Sequence, residues 1–344
     1  MLLTIVSAVF VFGLLVLVHE WGHFITAKMT GMRVDEFAIG FGPKLLDWRR
    51  GETLYAIRAI PLGGYNRIAG MDFDEEEEKD AGERAYYRRP VWARMIVILA
   101  GSFMNFLLPI ILFFLIFVFS GIQSPSTEPV VGDVLAGAPA QSAGLAAGDK
   151  ILTINGQPVN EWNDISTLLA GGAGKPYEVT YQRGEEAKTT TVIPMEDEMS
   201  KRVVIGIQGT AVTREVSVVE AAQISVERTW SIFQRMLEAL VLLFTKEGAS
   251  AELAGPIGVA QMAGEVAQHG FIPLLNFAAF LSLNLGIVNL LPVPALDGGH
   301  FVTLCIEAVR GKQMSKKALY YLQAVGVVLL ISLMIFATFN DVTR

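Results

Sequence analysis

The sequence has one cysteine, Cys305, among 344 residues, so an internal disulfide is excluded. Basic residues are not in excess: 27 Lys and Arg stand against 34 Asp and Glu, a net charge of −7, which argues against a nucleic-acid surface. No internal repeat is visible, and with it goes the symmetry between halves expected of a transporter. Charge is almost missing from the start of the chain, where Glu20 is the only formally charged residue between Met1 and Ala27. A secretory leader would carry a basic n-region and a small-residue cleavage site. Neither precedes His19, so the stretch is read as a membrane helix.

What the chain does have is apolar length. Hydrophobic residues make up 52% of it, and the mean hydropathy is +0.45. Charge-free runs at Leu2 to Val18, Met95 to Thr127, Phe271 to Leu296 and Ala318 to Asn340 are each long enough to cross or enter a hydrocarbon layer about 30 Å thick. Lys and Arg beside spans stay on the cytoplasmic side. Lys28 and Arg33 follow the first run, Arg84, Arg88, Arg89 and Arg94 precede the second, and Arg310, Lys312, Lys316 and Lys317 separate the last two. Both termini are then expected outside, together with residues 121–270. The acidic run "DFDEEEEKD" at 72–80 is expected to be a solvated cytoplasmic loop.

An ionisable group at membrane depth is costly, and function is the default explanation. In "HEWGH", His19 and His23 lie four apart and share one helix face, where both imidazoles can bind one metal ion, with Glu20 beside it. This is the arrangement in which zinc lowers the pKa of a bound water to about 7 and a glutamate takes its proton. Paired histidines that merely hydrogen-bond within a bundle are the bland alternative. A catalytic zinc takes three protein ligands and keeps one open position. The extended zincin pattern would need histidine where Met29 stands, so the third ligand comes from elsewhere. Asp297 in "NLLPVPALDGGH" is the leading candidate and His300 its rival. Alone, an Asp there would read as a helix cap. A second acid at membrane depth beside "HEWGH" favours a ligand. Pro292 and Pro294 forbid a regular helix, and unwound backbone at this depth must be buried in protein or line a watery cavity. Asn289 can donate to and accept from a peptide backbone, and Gly298 and Gly299 let the chain pass closely behind a metal.

These motifs resemble the site-2 protease family of intramembrane zinc metalloproteases, most closely its bacterial regulator-of-sigma-E protease branch. The family's HExxH and NxxPxPxLDG patterns stand as "HEWGH" at 19–23 and "NLLPVPALDG" at 289–298. "FGP" at 41–43, "AGSFMNFLL" at 100–108 and "AGPIGVA" at 254–260 extend the likeness over almost the whole chain. The resemblance implies His19, His23 and Asp297 as ligands of Zn²⁺, Glu20 as catalytic base, and Asn289, Pro292 and Pro294 as substrate contacts. It implies cleavage of single-span membrane proteins, such as anti-sigma factors and signal-peptide remnants, after an upstream site-1-type protease has removed their outer domain. It places the chain in a bacterial inner membrane with the active site toward the cytoplasm.

Between the spans, residues 33–65 read as extended structure. The resemblance makes them a β-hairpin dipping into the membrane, whose edge would pair with unwound substrate. Residues 128–213 alternate strand and helix signals, and "AGLAAGDKILTINGQPV" looks like a PDZ domain. Its carboxylate-binding loop would be "VIGI", with Ile205, Gly206 and Ile207 as peptide contacts. Such a unit would capture peptides or filter by size; a spacer is the alternative. Residues 217–244 carry too many charges to span and read as a helix on the outer membrane surface, with Trp230 and Phe233 as anchors. "GPIGVA" is taken as a re-entrant turn.

The expected fold is therefore a polytopic α-helical membrane protein with four transmembrane segments, a membrane-associated β-hairpin and one inserted extracytoplasmic α+β PDZ-like domain. The expected divisions are 1–30, 31–92, 93–122, 128–213, 217–246, 250–300 and 318–340. A catalytically inactive PDZ-bearing scaffold is the competing function, but it should lack the base or a ligand.

Overall fold

The computed structural model describes residues 1–71, 79–196, 202–245 and 255–343. The acidic segment 72–78 lies outside them. The chain forms two compact units, Met1–Ile116 with Val218–Arg344, and Phe117–Ser217.

In the first unit, helix α1 (Leu2–Met29) runs without a break through both the apolar run and the "HEWGH" cluster. It has no proline, and its two histidines and Glu20 keep the helical period. The chain then forms β1 (Val34–Arg50) and β2 (Thr53–Ile68). These are longer than one sheet crossing needs, and they fold back on each other. Ala38 is paired with both Ala56 and Tyr65, so the first part of β1 lies between two segments of β2, while Trp48 at the far end of β1 pairs with Tyr55. Phe41, Leu45, Leu46 and Trp48 are exposed on the outer part of β1.

Helix α2 (Val91–Ser120) tolerates Pro109 inside an apolar run. The second unit begins within its last turn. Here β3 (Ile122–Pro125) pairs with a distant strand, followed by β4 (Val131–Val134), α3 (Pro139–Ser142), β5 (Lys150–Ile154), β6 (Gln157–Pro158), α4 (Trp162–Leu169), β7 (Tyr177–Arg183), β8 (Glu186–Val192), β9 (Met195–Glu196), β10 (Val203–Val204), β11 (Ile207–Gly209) and β12 (Ala211–Arg214). β6, β5, β7 and β8 make one sheet in that order. β4 pairs with β11, and β3 with β12. The Ile122–Arg214 pairing shows why the unit extends beyond the expected limits of 128–213. Val131, Ile151, Ile154, Leu169 and Val179 fill its core. Asp149 is fully buried beside them; burial alone would raise its pKa, but hydrogen bonds from Arg183 and the Ala146 N–H hold it below the ordinary value.

The first unit resumes with α5 (Val218–Thr245), α6 (Pro256–Gln268), α7 (Phe271–Asn289), α8 (Asp297–Arg310) and α9 (Lys316–Thr343). Among the described residues, four helices, α1, α2, α7 and α9, are long and apolar enough to cross a membrane. One expectation needs correction. "GPIGVA" starts a helix rather than a re-entrant turn: Pro256 occupies the first turn, where its missing N–H costs nothing, and the Asp341 carboxylate of α9 accepts from the Gly255 and Gly258 N–H groups at 2.8 and 2.9 Å. The third apolar run stops being helical at Asn289, just before the expected break at Pro292 and Pro294. Phe233 packs edge-on against Phe106 of α2, with ring centroids 5.7 Å apart, and Trp230 stacks on Phe233.

Near the end of α1 the hairpin is tied down by charge. Glu52, at the β1–β2 turn, accepts from Lys28 at 2.6 Å and from both Arg84 terminal nitrogens at 2.8 and 2.7 Å. Arg84 first, then Lys28, hold its carboxyl down to about 2 from 4.5. A depressed folded pKa contributes stability that is complete above the unfolded value and is lost as pH falls toward about 2. Thermal unfolding in detergent from pH 6 down to about pH 3 is expected to show a smaller acid-induced fall in Tm for Glu52→Gln than for wild type, from a lower starting Tm. Parallel curves would remove Glu52 from the acid response.

Candidate metal centre

One turn of α1 separates His19 from His23, and the two rings meet edge to face with centroids 4.7 Å apart. That arrangement needs α2 to pass very close. A Cβ on Gly22 would lie 2.5 Å from the Ala100 carbonyl oxygen. A Cβ on Gly101 would collide with His23 Nε2 and crowd both imidazoles. "AGS" in α2 is thus a flat surface against which the two rings stand.

The third group arrives from the other end of the sequence. After α7 ends, residues 290–296 turn through the Pro292 and Pro294 break, and Ala295 is left-handed with φ 74°. Helix α8 then opens with Asp297 as its first residue, not as its cap, where a carboxylate suits the helix dipole. Cβ atoms on Gly298 and Gly299 would collide with the carbonyls of Leu290, Leu291 and Val293, so these glycines let α8 fold tightly back onto the break.

The result is a compact donor set. His19 Nε2 and His23 Nε2 are 3.2 Å apart, and Asp297 Oδ2 lies 3.4 Å from the first and 3.5 Å from the second. Among the described residues these three are the group that could hold a metal ion. Zinc takes imidazole nitrogen and carboxylate oxygen at about 2.0–2.2 Å in a tetrahedron, whose edges are then about 3.3–3.6 Å. The three observed separations fit that triangle.

The outer ring nitrogens agree with this assignment. His23 Nδ1 lies 2.7 Å from the Val97 carbonyl, which can only accept, so Nδ1 donates and the Nε2 lone pair is left for a cation. His19 Nδ1 lies 3.0 Å from Asn105 Nδ2, and Asn105 Oδ1 is buried without a partner, so the amide turned over would set its oxygen against Nδ1. When His19 Nε2 ligates a metal, Nδ1 carries the proton, and the amide satisfies it by presenting oxygen. The Ser102 hydroxyl donates to Asp297 Oδ2 at 3.4 Å.

Glu20 sits on the same turn of α1 as the histidines, and Asn66 of β2 donates to its Oε2 at 2.7 Å. His300, the rival ligand, is one turn beyond Asp297 on α8, with its Nε2 3.4 Å from the Gln323 amide and outside the donor triangle. Asn289 ends α7 half-buried, immediately before the break that carries Pro292 and Pro294. The proposed peptide contacts of the second unit are elsewhere. Ile205 belongs to that unit's core, and its carbonyl accepts from Ala140. Gly206 has φ 78° and accepts from Leu135, while Ile207 pairs with Val134. Asn66, Gly101 and Asn105 were not named from sequence. Gly101 and Asn105 both fall within the quoted "AGSFMNFLL", but no spacing rule ties either to His19.

The profile of peptidase family M50 matches residues 7–333. The regulator of sigma-W protease RasP of Bacillus subtilis is 31% identical, over 99% of this chain and 98% of that one. The zinc metalloprotease RasP of Geobacillus kaustophilus is 33% identical, over 99% and 98%. Among solved structures, the PDZ domain of an SdrC-like protein from Listeria monocytogenes is 21% identical with a TM-score of 0.23, covering 26% of this chain and 94% of that one.

Two substitutions separate the packing of the centre from its hydrogen bonding. Gly101→Ala should strip zinc from the purified protein, because the methyl group occupies the space of the imidazoles. Gly13→Ala, on open surface of α1, is the control that keeps it. Asn105→Leu should weaken zinc binding about 10–100-fold in a chelator competition. Full zinc occupancy in Gly101→Ala would refute the close approach of α2.

Proposed function

The chain belongs to peptidase family M50 and is a zinc metalloprotease of the site-2 type, and from that premise we propose that His19, His23 and Asp297 hold its zinc while Glu20 is the general base. The observation that carries this is the donor triangle, with edges of 3.2–3.5 Å, formed between the apolar helix α1 and the first residue of α8. Bound there, zinc would supply an acidified water and polarise a scissile carbonyl. Glu20 would take the water's proton and return it to the leaving amine. Asn289 has donor and acceptor to offer a peptide backbone, and the break at Pro292 and Pro294 leaves that backbone room to be unwound.

The protein is a multi-pass inner-membrane protease, and the substrates we assign to it are transmembrane segments of single-span proteins, anti-sigma-factor-like proteins and signal-peptide remnants among them, trimmed first by a site-1-type protease. The exposed Phe41, Leu45, Leu46 and Trp48 support a hairpin that enters the membrane and offers its edge to an unwound segment. We assign the unit around residues 128–213 as an extracytoplasmic PDZ-like domain, with the backbone around Ile205, Gly206 and Ile207 as its peptide-facing loop. Basic residues at the ends of the spans support outward termini.

Glu20→Gln should retain zinc and lower cleavage of a tagged single-span substrate by about 10²–10⁴-fold. Asp297→Ala and His23→Ala should lose both zinc and cleavage. Equal zinc in Asp297→Ala and wild type would remove Asp297 from the ligand set. For orientation, in a variant lacking Cys305, an impermeant thiol reagent applied outside should label a cysteine at Glu185 and not one at Glu83, both exposed positions. The reverse pattern would overturn the orientation.

A further inference from the structure

Asn66 makes two bonds from one nitrogen. Its Nδ2 donates to the Glu20 backbone carbonyl and to Glu20 Oε2, each at 2.7 Å. A carbonyl and a carboxylate both accept, so the amide cannot present its oxygen to this pair. That orientation leaves Asn66 Oδ1 buried with no partner. A buried acceptor without a donor is unfavourable, and the amide is nevertheless held this way by its two contacts with Glu20.

The backbone explains how the grip arises. Asn66 is paired with Phe37, Gly64 with Ile39 and Ile68 with Val34, so 64, 66 and 68 share one face of the sheet. At Gly64 a Cβ would lie 2.9 Å from both Glu20 Cγ and Val16 Cγ1. Ile68 is buried in the core with Ala27 and Met32. This face of the last hairpin segment therefore lies along α1. Gly64 leaves room for the stem of Glu20, and Asn66 holds its head. Tyr65, on the opposite face, stacks on Phe41.

We propose that Asn66 is a positioning residue for the Glu20 carboxylate, fixing Oε2 so that the other oxygen is left for proton transfer. The base is then set by the same hairpin that would receive the substrate strand. The inference rests on Glu20 being the general base.

The test compares Asn66→Leu, Asn66→Asp and Glu20→Gln by zinc content, kcat and KM on one single-span substrate in detergent. Asn66→Leu has nearly the same size and no donor. It is expected to lose about 10–100-fold in kcat, with KM and zinc per chain unchanged. Asn66→Asp keeps the shape and sets an acceptor against an acceptor, so its kcat should fall at least as far, again with full zinc. A purely structural role would leave the isosteric Asp variant near wild type. Wild-type kcat in Asn66→Asp, or in a zinc-loaded Asn66→Leu, beside an inactive Glu20→Gln, overturns the positioning role and leaves Glu20 as the base. Loss of zinc together with kcat in both Asn66 variants also overturns it, since the residue would then be supporting the metal site as a whole. An active Glu20→Gln overturns the base assignment and the inference with it.

Discussion

A carboxylate oxygen within 3.5 Å of two imidazole nitrogens, the latter on a helix apolar enough to cross a membrane, is a tight cluster of polar groups in a setting that solvates them poorly. It is favourable when a cation is shared among the three, and much of the first unit is arranged to hold the geometry such sharing needs. The imidazoles are each aimed from behind by a polar partner: a backbone carbonyl behind His23, and behind His19 the Asn105 amide, which offers an acceptor once turned over. Those partners sit on α2, which can serve both rings because Gly22 and Gly101 remove the side chains that would otherwise keep the helices apart.

Asp297 poses a different problem, because it must leave one membrane segment and return to the depth of another. The proline break stops α7 early, and a non-glycine residue, Ala295, takes a left-handed conformation that costs of order 1–3 kcal/mol. Such strain persists only where the surroundings over-determine it. Here they do so at both ends of α8. At its start, Gly298 and Gly299 seat the helix on the break. Three turns on, Glu307 meets Arg94 of α2 through two bonds of 3.0 and 2.5 Å, with Tyr86 and Tyr87 around the guanidinium. Loss of either charge would strand the other in the interior, so the pair fixes how α8 lies against α2. The carboxylate of Asp297 is therefore positioned by a helix anchored ten residues away.

What could be read in the sequence follows from this division. Helical periodicity alone puts His19 and His23 on one face, and two prolines before an acid alone announce a broken segment at membrane depth. Local signals of that kind also mark four long apolar helices and the strand and helix order of the second unit. The folding of β1 and β2 back on themselves is not local: Ala38 has two partners at different separations along β2, which no alternation pattern encodes. The start of helix α6 is not marked locally for the same reason, since its cap is supplied by Asp341 from the far end of the chain. Asn66, Gly101 and Asn105 matter only because a strand or helix passes close to α1, and a sequence window around any of them contains nothing that points to His19 or Glu20.

Position along α1 carries a further consequence. At a rise of 1.5 Å per residue, His23 is about 7.5 Å from Lys28 along the axis and His19 about 25 Å from Leu2, against a hydrocarbon thickness of about 30 Å. The donor triangle therefore lies well toward the end of the helix marked by Lys28. The Gly64–Ile68 segment, which touches Glu20 and reaches the core beside Ala27, is at the same level. Under the proposed function, a membrane segment drawn to this level would need to unwind only near one of its ends, where few backbone hydrogen bonds are lost to hydrocarbon. A cut there would divide it unequally. The piece on the Lys28 side would keep a short apolar stub, and since membrane retention grows with each buried methylene, that piece would be the one able to leave the bilayer.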